Sequence, residues 1–251
     1  MIGHFSFILL YFIILSFVRV IYNKSINVSS EDDFKKAIES NYSNIVLNSS
    51  ISVDGNYTLN SNIDEIKISG ITRDIKLKFN NEINGLYIEN YTNIEISNLS
   101  FTGNLFILKC SNTTIFDVDF NGLIQSSFSN ITLQNFKYKN LQSRQSQYGI
   151  SLDNVIMSIS NSEFYGSSSI RDNIIYLVGG EVTEFINSQD LIDYSYTSQL
   201  FINQSFFSGE YKCSIIKTLS SCLRINESVL NNGFTNDNGF VNKNNDNNYY
   251  I

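Results

Sequence analysis

Between Asn93 and Asn140 the chain repeats one pattern three times: NIEISNLSFTG, NTTIFDVDFNG and NITLQNFKYKN. Each block opens on a polar Asn, alternates apolar and polar positions, places an aromatic two places before Gly or Asn, and turns. The turns fall at Gly103, Gly122 and Asn140, so the spacing is nearly constant. The phase continues at Gly166, Gly209 and Asn232, and the residues two places earlier are Phe101, Phe120, Tyr138, Phe164, Phe207 and Leu230. Alternation at a period of two predicts short strands. Self-similarity at a period of about 20 residues predicts a solenoid. Three short strands fit into each repeat. The first follows the turn (Leu86–Ile88, Leu105–Leu108, Gly149–Leu152, Ile174–Val178, Ser214–Ile216). The second begins near an Asn (Ile94–Ile96, Ile131–Leu133, Ile156–Ile159, Leu200–Ile202, Leu223–Ile225), and the third carries the aromatic. So short a repeat does not close a hairpin sheet of its own. It makes one coil whose strands pair with their equivalents one coil on.

The irregular stretches read as follows. Residues 30–39 predict a short helix: Ser29 or Ser30 supplies an N-cap, three acids favour the positive helix end, and Phe34, Ala37 and Ile38 form one apolar face. Placed just before the first strands, it predicts a cap on an otherwise open sheet end. The span from Asn140 to Gly166 is longer than one repeat, and its excess is expected to loop out as LQSRQSQYG. The span from Gly166 to Gly209 has the length of two repeats. It predicts two coils, the extra one turning at Phe185-Ile186-Asn187, with 188–198 as a bulged loop. The aromatic column is expected to stack in the core. A second column, Asn98, Asp117, Asn135, Asn161, Gln204 and Glu227, is expected at corners, where short polar side chains bond the backbone. Residues 236–251 are Asn-rich and read as a tail or unfinished coil.

Composition narrows the picture. Hydrophobic residues make up 42% and charged residues only 16% of the 251-residue chain, so the chain folds but takes its polarity from Asn, Ser and Thr. A net charge of −7 without a basic stripe argues against nucleic acid as a partner. Residues 1–22 hold the apolar block FSFILLYFIILSFV, which reads as a signal peptide or an uncleaved signal anchor, the only route to a membrane. Sequons occur at Asn23, Asn27, Asn41, Asn48, Asn56, Asn90, Asn98, Asn112, Asn130, Asn203 and Asn226. With the leader they predict a glycosylated chain that is secreted or held at the cell surface. Cys213 and Cys222 are close enough to bridge, which leaves Cys110 over; three buried thiols are the alternative.

The layout resembles the pectate-lyase-like superfamily. The likeness lies in SSEDDFKKAIE as capping helix, NIVLNSSISVDG as first strands, and coils of NIxIxNxxFxG type. It covers residues 28–235 and implies an all-β fold, a single-stranded right-handed parallel β-helix. It implies no single activity, since the superfold hosts lyases, hydrolases, adhesins and scaffolds. The superfamily's catalytic motifs do not carry over. Arg73, Arg144, Arg171 and Arg224 are scattered, and the only His, His4, falls in the leader.

Of the chemistry that remains, Asp117 and Asp119 are the best pair. In IFDVDF, the alternation of Phe116, Val118 and Phe120 inward places both carboxylates outward, about 7 Å apart along the strand. Such a pair could act as acid and base in glycoside hydrolysis, or ligate Ca²⁺ together with oxygen atoms from a neighbouring coil. A solvated strand face needs neither, and Asp153 and Glu163 read as ordinary surface. Tyr148, Tyr165, Tyr194 and Tyr196 suit contact with sugar rings. No cofactor or metal motif is present. The expectation is a non-catalytic secreted or surface scaffold whose partner is a polysaccharide or another surface protein. The alternatives are a polysaccharide lyase or glycoside hydrolase, and a fragment or decayed paralogue of a larger surface protein.

Overall fold

The computed structural model describes residues 24–40, 42–59, 64–179, 198–209 and 214–231. The leader, Asn41, Phe185–Asn187, Tyr194, Tyr196, Cys213 and the 236–251 tail lie outside the described residues. The described chain is mostly β, with one α-helix.

The first elements are β1 (Ser25–Val28), α1 (Glu31–Glu39), β2 (Asn44–Leu47), β3 (Ile51–Val53), β4 (Tyr57–Leu59), β5 (Glu65–Gly70) and β6 (Lys76–Phe79). The next are β7 (Gly85–Glu89), β8 (Asn93–Thr102), β9 (Asn104–Leu108), β10 (Asn112–Asn121), β11 (Ile124–Ser127), β12 (Asn130–Gln134), β13 (Lys137–Lys139) and β14 (Ser146–Asp153). The last are β15 (Ile156–Ser160), β16 (Glu163–Tyr165), β17 (Ile170–Val178), β18 (Gln199–Asn203), β19 (Phe206–Ser208), β20 (Ser214–Leu219), β21 (Cys222–Asn226) and β22 (Val229–Asn231).

These strands form a 15-stranded and a seven-stranded sheet. Each described strand pairs in parallel with its equivalent one repeat on, as in Phe120↔Phe101 and Phe120↔Tyr138. The seven-stranded sheet runs β4-β7-β9-β11-β14-β17-β20. The larger sheet follows two lines that share β8 and β10: one through β5, β12, β15 and β18, the other through β6, β13, β16 and β19.

One-residue corners create this division. Asn98, Asp117, Asn135, Asn161, Gln204 and Glu227 all have φ between +46° and +56°. Each takes the left-handed conformation that Asn and Asp tolerate best, which bends the chain between the two lines. A second set, Asn90, Lys109, Phe128, Asn154 and Ser220, turns the chain out of the seven-stranded sheet in the same way.

The core lies between the sheets. The aromatic column stacks, with ring centroids 5.0 Å apart for Phe101–Phe120, 6.2 Å for Phe120–Tyr138, 5.9 Å for Tyr138–Phe164 and 4.5 Å for Phe164–Phe207. It begins earlier than the repeat pattern shows, through Phe34, Tyr57 and Phe79. Phe34 belongs to α1, which rests on β1, β3 and β4 and supplies the first ring of the column. The Ser30 side chain accepts a hydrogen bond from the Asp33 N–H, as an N-cap should.

Three expectations need correction. The span from Gly166 to Gly209 inserts no extra repeat into the stack: Phe164 stacks directly on Phe207, and β15 pairs directly with β18. The loop after Asn140 is shorter than LQSRQSQYG, because Ser146 already begins β14. Its 143–144 tip is held from a distance. The Glu82 carboxylate accepts from the Ser143 and Arg144 N–H groups and from the Ser143 hydroxyl, which draws its pKa below the usual carboxylate range. Finally, β1 precedes α1 and pairs with β2, so parallel pairing starts before residue 28.

Two ladders of hydroxyls, all buried but the half-buried Ser228, follow the corners. The Phe136 N–H donates to Ser162 Oγ, the Ser162 N–H to Ser205 Oγ and the Ser205 N–H to Ser228 Oγ, each at 3.1 Å. In the other ladder the Cys110 N–H donates to Ser129 Oγ at 3.0 Å and the Val155 N–H to Ser198 Oγ at 3.1 Å. A left-handed corner turns the next N–H out of its sheet, and the following repeat's hydroxyl satisfies it.

Candidate functional site

Asp117 forms a corner, and Asp119 lies beyond it. The left-handed turn at Asp117 interrupts the alternation, so Ile115 and Val118 point inward while Phe116 and Asp117 are half-buried on the outside. Asp117 sits at the corner, where its Oδ1 accepts from Asn135 Nδ2. Asp119 lines a cleft of about 300 Å³ together with Arg73, Lys137, Asn161, Glu163 and the same Asn135.

Register builds that cleft. Asp119 lies beside Lys137 on β13, and Lys137 beside Glu163 on β16. Arg73 comes from the turn between β5 and β6 and donates to Asp119 Oδ1 through Nη2 at 2.7 Å and Nε at 3.2 Å. Lys137 Nζ is 3.1 Å from Glu163 Oε2, which also accepts from the Tyr165 hydroxyl at 2.9 Å. Lys137 and Lys139 lie over the Tyr165 ring at 5.7 and 5.0 Å from its centroid. Two acids thus alternate with two cations.

The electrostatics favour the charged forms of Lys137 and Glu163. The Tyr165 hydroxyl and then Lys137 hold Glu163 below the usual carboxylate range. The same Glu163 contact raises Lys137 above its ordinary value. Both groups are thereby fixed in their charged forms. A glycosidase acid needs the opposite shift, a carboxyl kept protonated near neutrality. The Arg73–Asp119 pair has side chains 33% and 47% exposed, so solvent screens it and it contributes at most about 1 kcal/mol to stability. No group of three or more His, Cys, Asp or Glu suited to a metal occurs among the described residues.

A second cleft, of about 380 Å³, opens on the other line of the large sheet, beside Asn44, Glu65, Lys67, Asn93, Glu95 and Asn112. It too is internally paired: Lys67 Nζ is 2.6 Å from Glu95, and Asn93 Nδ2 donates to Glu65 at 3.0 Å.

Asn27, Asn48, Asn56, Asn90 and Asn112 are exposed, whereas Asn98, Asn130, Asn203 and Asn226 are half-buried. Asn98 Nδ2, the atom a glycan would need, donates to the Gly70 carbonyl, and Asn226 Nδ2 donates to Asn203 Oδ1. Cys110 and Cys222 are both buried. No helix among the described residues is long and apolar enough to cross a membrane.

Sequence reasoning passed over Arg73, Lys137 and Glu163 as site residues. The signal for two of them was present, since Asp119, Lys137 and Glu163 each immediately precede a ring of the aromatic column. Arg73 sits in a turn outside the repeat phase and carried no such signal. Compared with known proteins, the chain matches no family model and no curated protein.

Proposed function

We propose that the chain is a right-handed parallel β-helix of the pectate-lyase-like kind, secreted or displayed at a cell surface. In this reading it is a non-catalytic scaffold for adhesion or for contact with carbohydrate. The observation that carries the non-catalytic part is the pairing inside the Asp119 cleft. Arg73 meets Asp119, and Lys137 meets Glu163, so Glu163 is held away from the raised pKa that proton donation needs. The coil reading is supported by parallel pairing at the repeat spacing and by the continuous ring column.

One observation favours a second reading, a polysaccharide-active enzyme. The Arg73 guanidinium beside Asp119 is a basic group of the kind such a site would use, drawn from a distant part of the chain. The test is an assay for reducing ends and for unsaturated products, run on pectins, glucans and chitin with the natural chain and with Asp119→Ala and Arg73→Ala. The scaffold reading expects no product from any of the three. Product that disappears in both variants would establish the enzyme instead.

A further inference from the structure

The outer face of the seven-stranded sheet carries a column that neither cleft uses. Register aligns Thr58, Tyr87, Phe106, Gln125, Ser151 and Tyr176 across six successive strands. One ring stack lies in the column, and a second joins its Tyr176 to Tyr148, which precedes Ser151 on β14. Tyr87 and Phe106 lie 4.1 Å apart and within 9° of parallel. Tyr148 and Tyr176 also lie 4.1 Å apart, at 11°. All four rings are half-buried and so keep solvent-facing surface. Gln125, which is exposed, and Ser151 lie between the stacks and offer an amide and a hydroxyl.

A separate observation comes from the end of β11. Phe128 is 60% exposed and has φ +51°. At equivalent corners the chain uses Asn90, Lys109, Asn154 and Ser220. A bulky ring in the left-handed region is strained and, this exposed, gains little from burial. It stands just past the end of the strand that carries Gln125, at the margin of the same face.

Resting on the carbohydrate-contact reading above, we propose that this face binds a neutral glycan chain, running across the strands from the Tyr87–Phe106 stack to the Tyr148–Tyr176 stack. Three features select that occupant. The column itself carries no charge from Thr58 to Tyr176, Lys217 enters it only on the next strand, and the acids Glu89, Asp153 and Asp172 that flank it repel an anionic chain. Flat rings next to an amide and a hydroxyl match a pyranose, which presents C–H faces and hydroxyl edges. Strands repeat every ~4.8 Å, close to the length of one sugar unit, so successive units meet successive strands. Sugars with equatorial hydroxyls leave their ring faces most apolar, which points to glucose- and N-acetylglucosamine-type polymers.

The experiment is calorimetric titration of the full chain with cellohexaose, laminarihexaose and N-acetylchitohexaose, with hexagalacturonate as the anionic comparison. The variants are Phe106→Ala, Tyr176→Ala and Gln125→Ala, each checked for an unchanged thermal transition. At least one neutral hexamer is expected to bind, hexagalacturonate to bind more weakly, and Phe106→Ala and Tyr176→Ala each to weaken binding by about tenfold or more. Absence of binding by every neutral hexamer, tighter binding of hexagalacturonate, or affinity unchanged in both ring variants would overturn the proposal. Asp119-dependent product in the assay above would overturn the non-catalytic reading and leave this face standing, so the two failures are distinguishable.

Discussion

Replacing Gly122 with Ala tests how closely successive repeats approach. Gly122 has φ +155°, and a Cβ built there would lie 1.9 Å from the Gly103 carbonyl oxygen of the previous repeat. That oxygen is backbone, so no flexible side chain can yield. Gly103 has little room to retreat, because its own Cβ position is 2.6 Å from Phe79. The conformation costs a non-glycine residue about 1–3 kcal/mol. Overpacking against fixed backbone adds about 1–3 kcal/mol. The expected loss is thus several kcal/mol, a large share of the ~5–15 kcal/mol that holds a typical domain together. Gly55→Ala is the control. Its φ is +91°, but nothing lies within 4 Å of the added methyl, so only the conformational cost remains. Urea unfolding followed by far-ultraviolet circular dichroism measures both. A cost for Gly122→Ala no larger than that for Gly55→Ala would refute the close approach of the two repeats.

Further outcomes follow from the ladders and the buried phenols. Ser205→Ala leaves the Ser162 N–H without its 3.1 Å acceptor in a buried site and should cost about 1–3 kcal/mol by urea unfolding. Burial pushes Tyr91 up to about 12, and burial with a hydrogen bond to Glu31 does the same to Tyr57. Between the ordinary phenol pKa of 10.0 and about 12, the unfolded chain loses these protons while the folded chain keeps them. Stability should therefore fall as pH rises through that window, and thermal unfolding from pH 9 to 12 should show a smaller fall in Tyr91→Phe.

The repeat was legible because its strongest signals are local. An aromatic two places before a Gly turn, recurring once in every repeat, pointed to the ring column from Phe101 to Tyr138. The corner column was visible as a phase, since Asn at positions 98, 135 and 161 suits φ near +50°. Its effect on side-chain direction was not visible. One left-handed residue at Asp117 resets the alternation, which is why Phe116, expected inward, faces outward and Asp119 lies beyond a corner from Asp117. The hydroxyl ladders were hidden by composition, because Ser162 and Ser205 look like loop residues in a chain rich in Ser and Asn. The Asp119 cleft was half legible: Lys137 and Glu163 share its phase, but Arg73 reaches it from 46 positions away. The span from Gly166 to Gly209 misled because its length equals two repeats, and length alone does not show whether a repeat joins the stack.

That span also offers the most direct test of stacked, directly paired repeats. Ser158 on β15 pairs in register with Phe201 on β18, and both side chains are half-buried on the outside of the sheet. Adjacent strands lie ~4.8 Å apart, within the ~4.4–6.8 Å over which a disulfide forms between Cα atoms. A repeat inserted between them would separate the two positions by roughly 10 Å and forbid the bond. The measurement is mass-spectrometric mapping of cross-links in Ser158→Cys/Phe201→Cys after mild oxidation. Near-complete linkage of positions 158 and 201 is expected, with the fold retained. No linkage in a folded protein, or linkage only after unfolding, would contradict the direct pairing of β15 with β18.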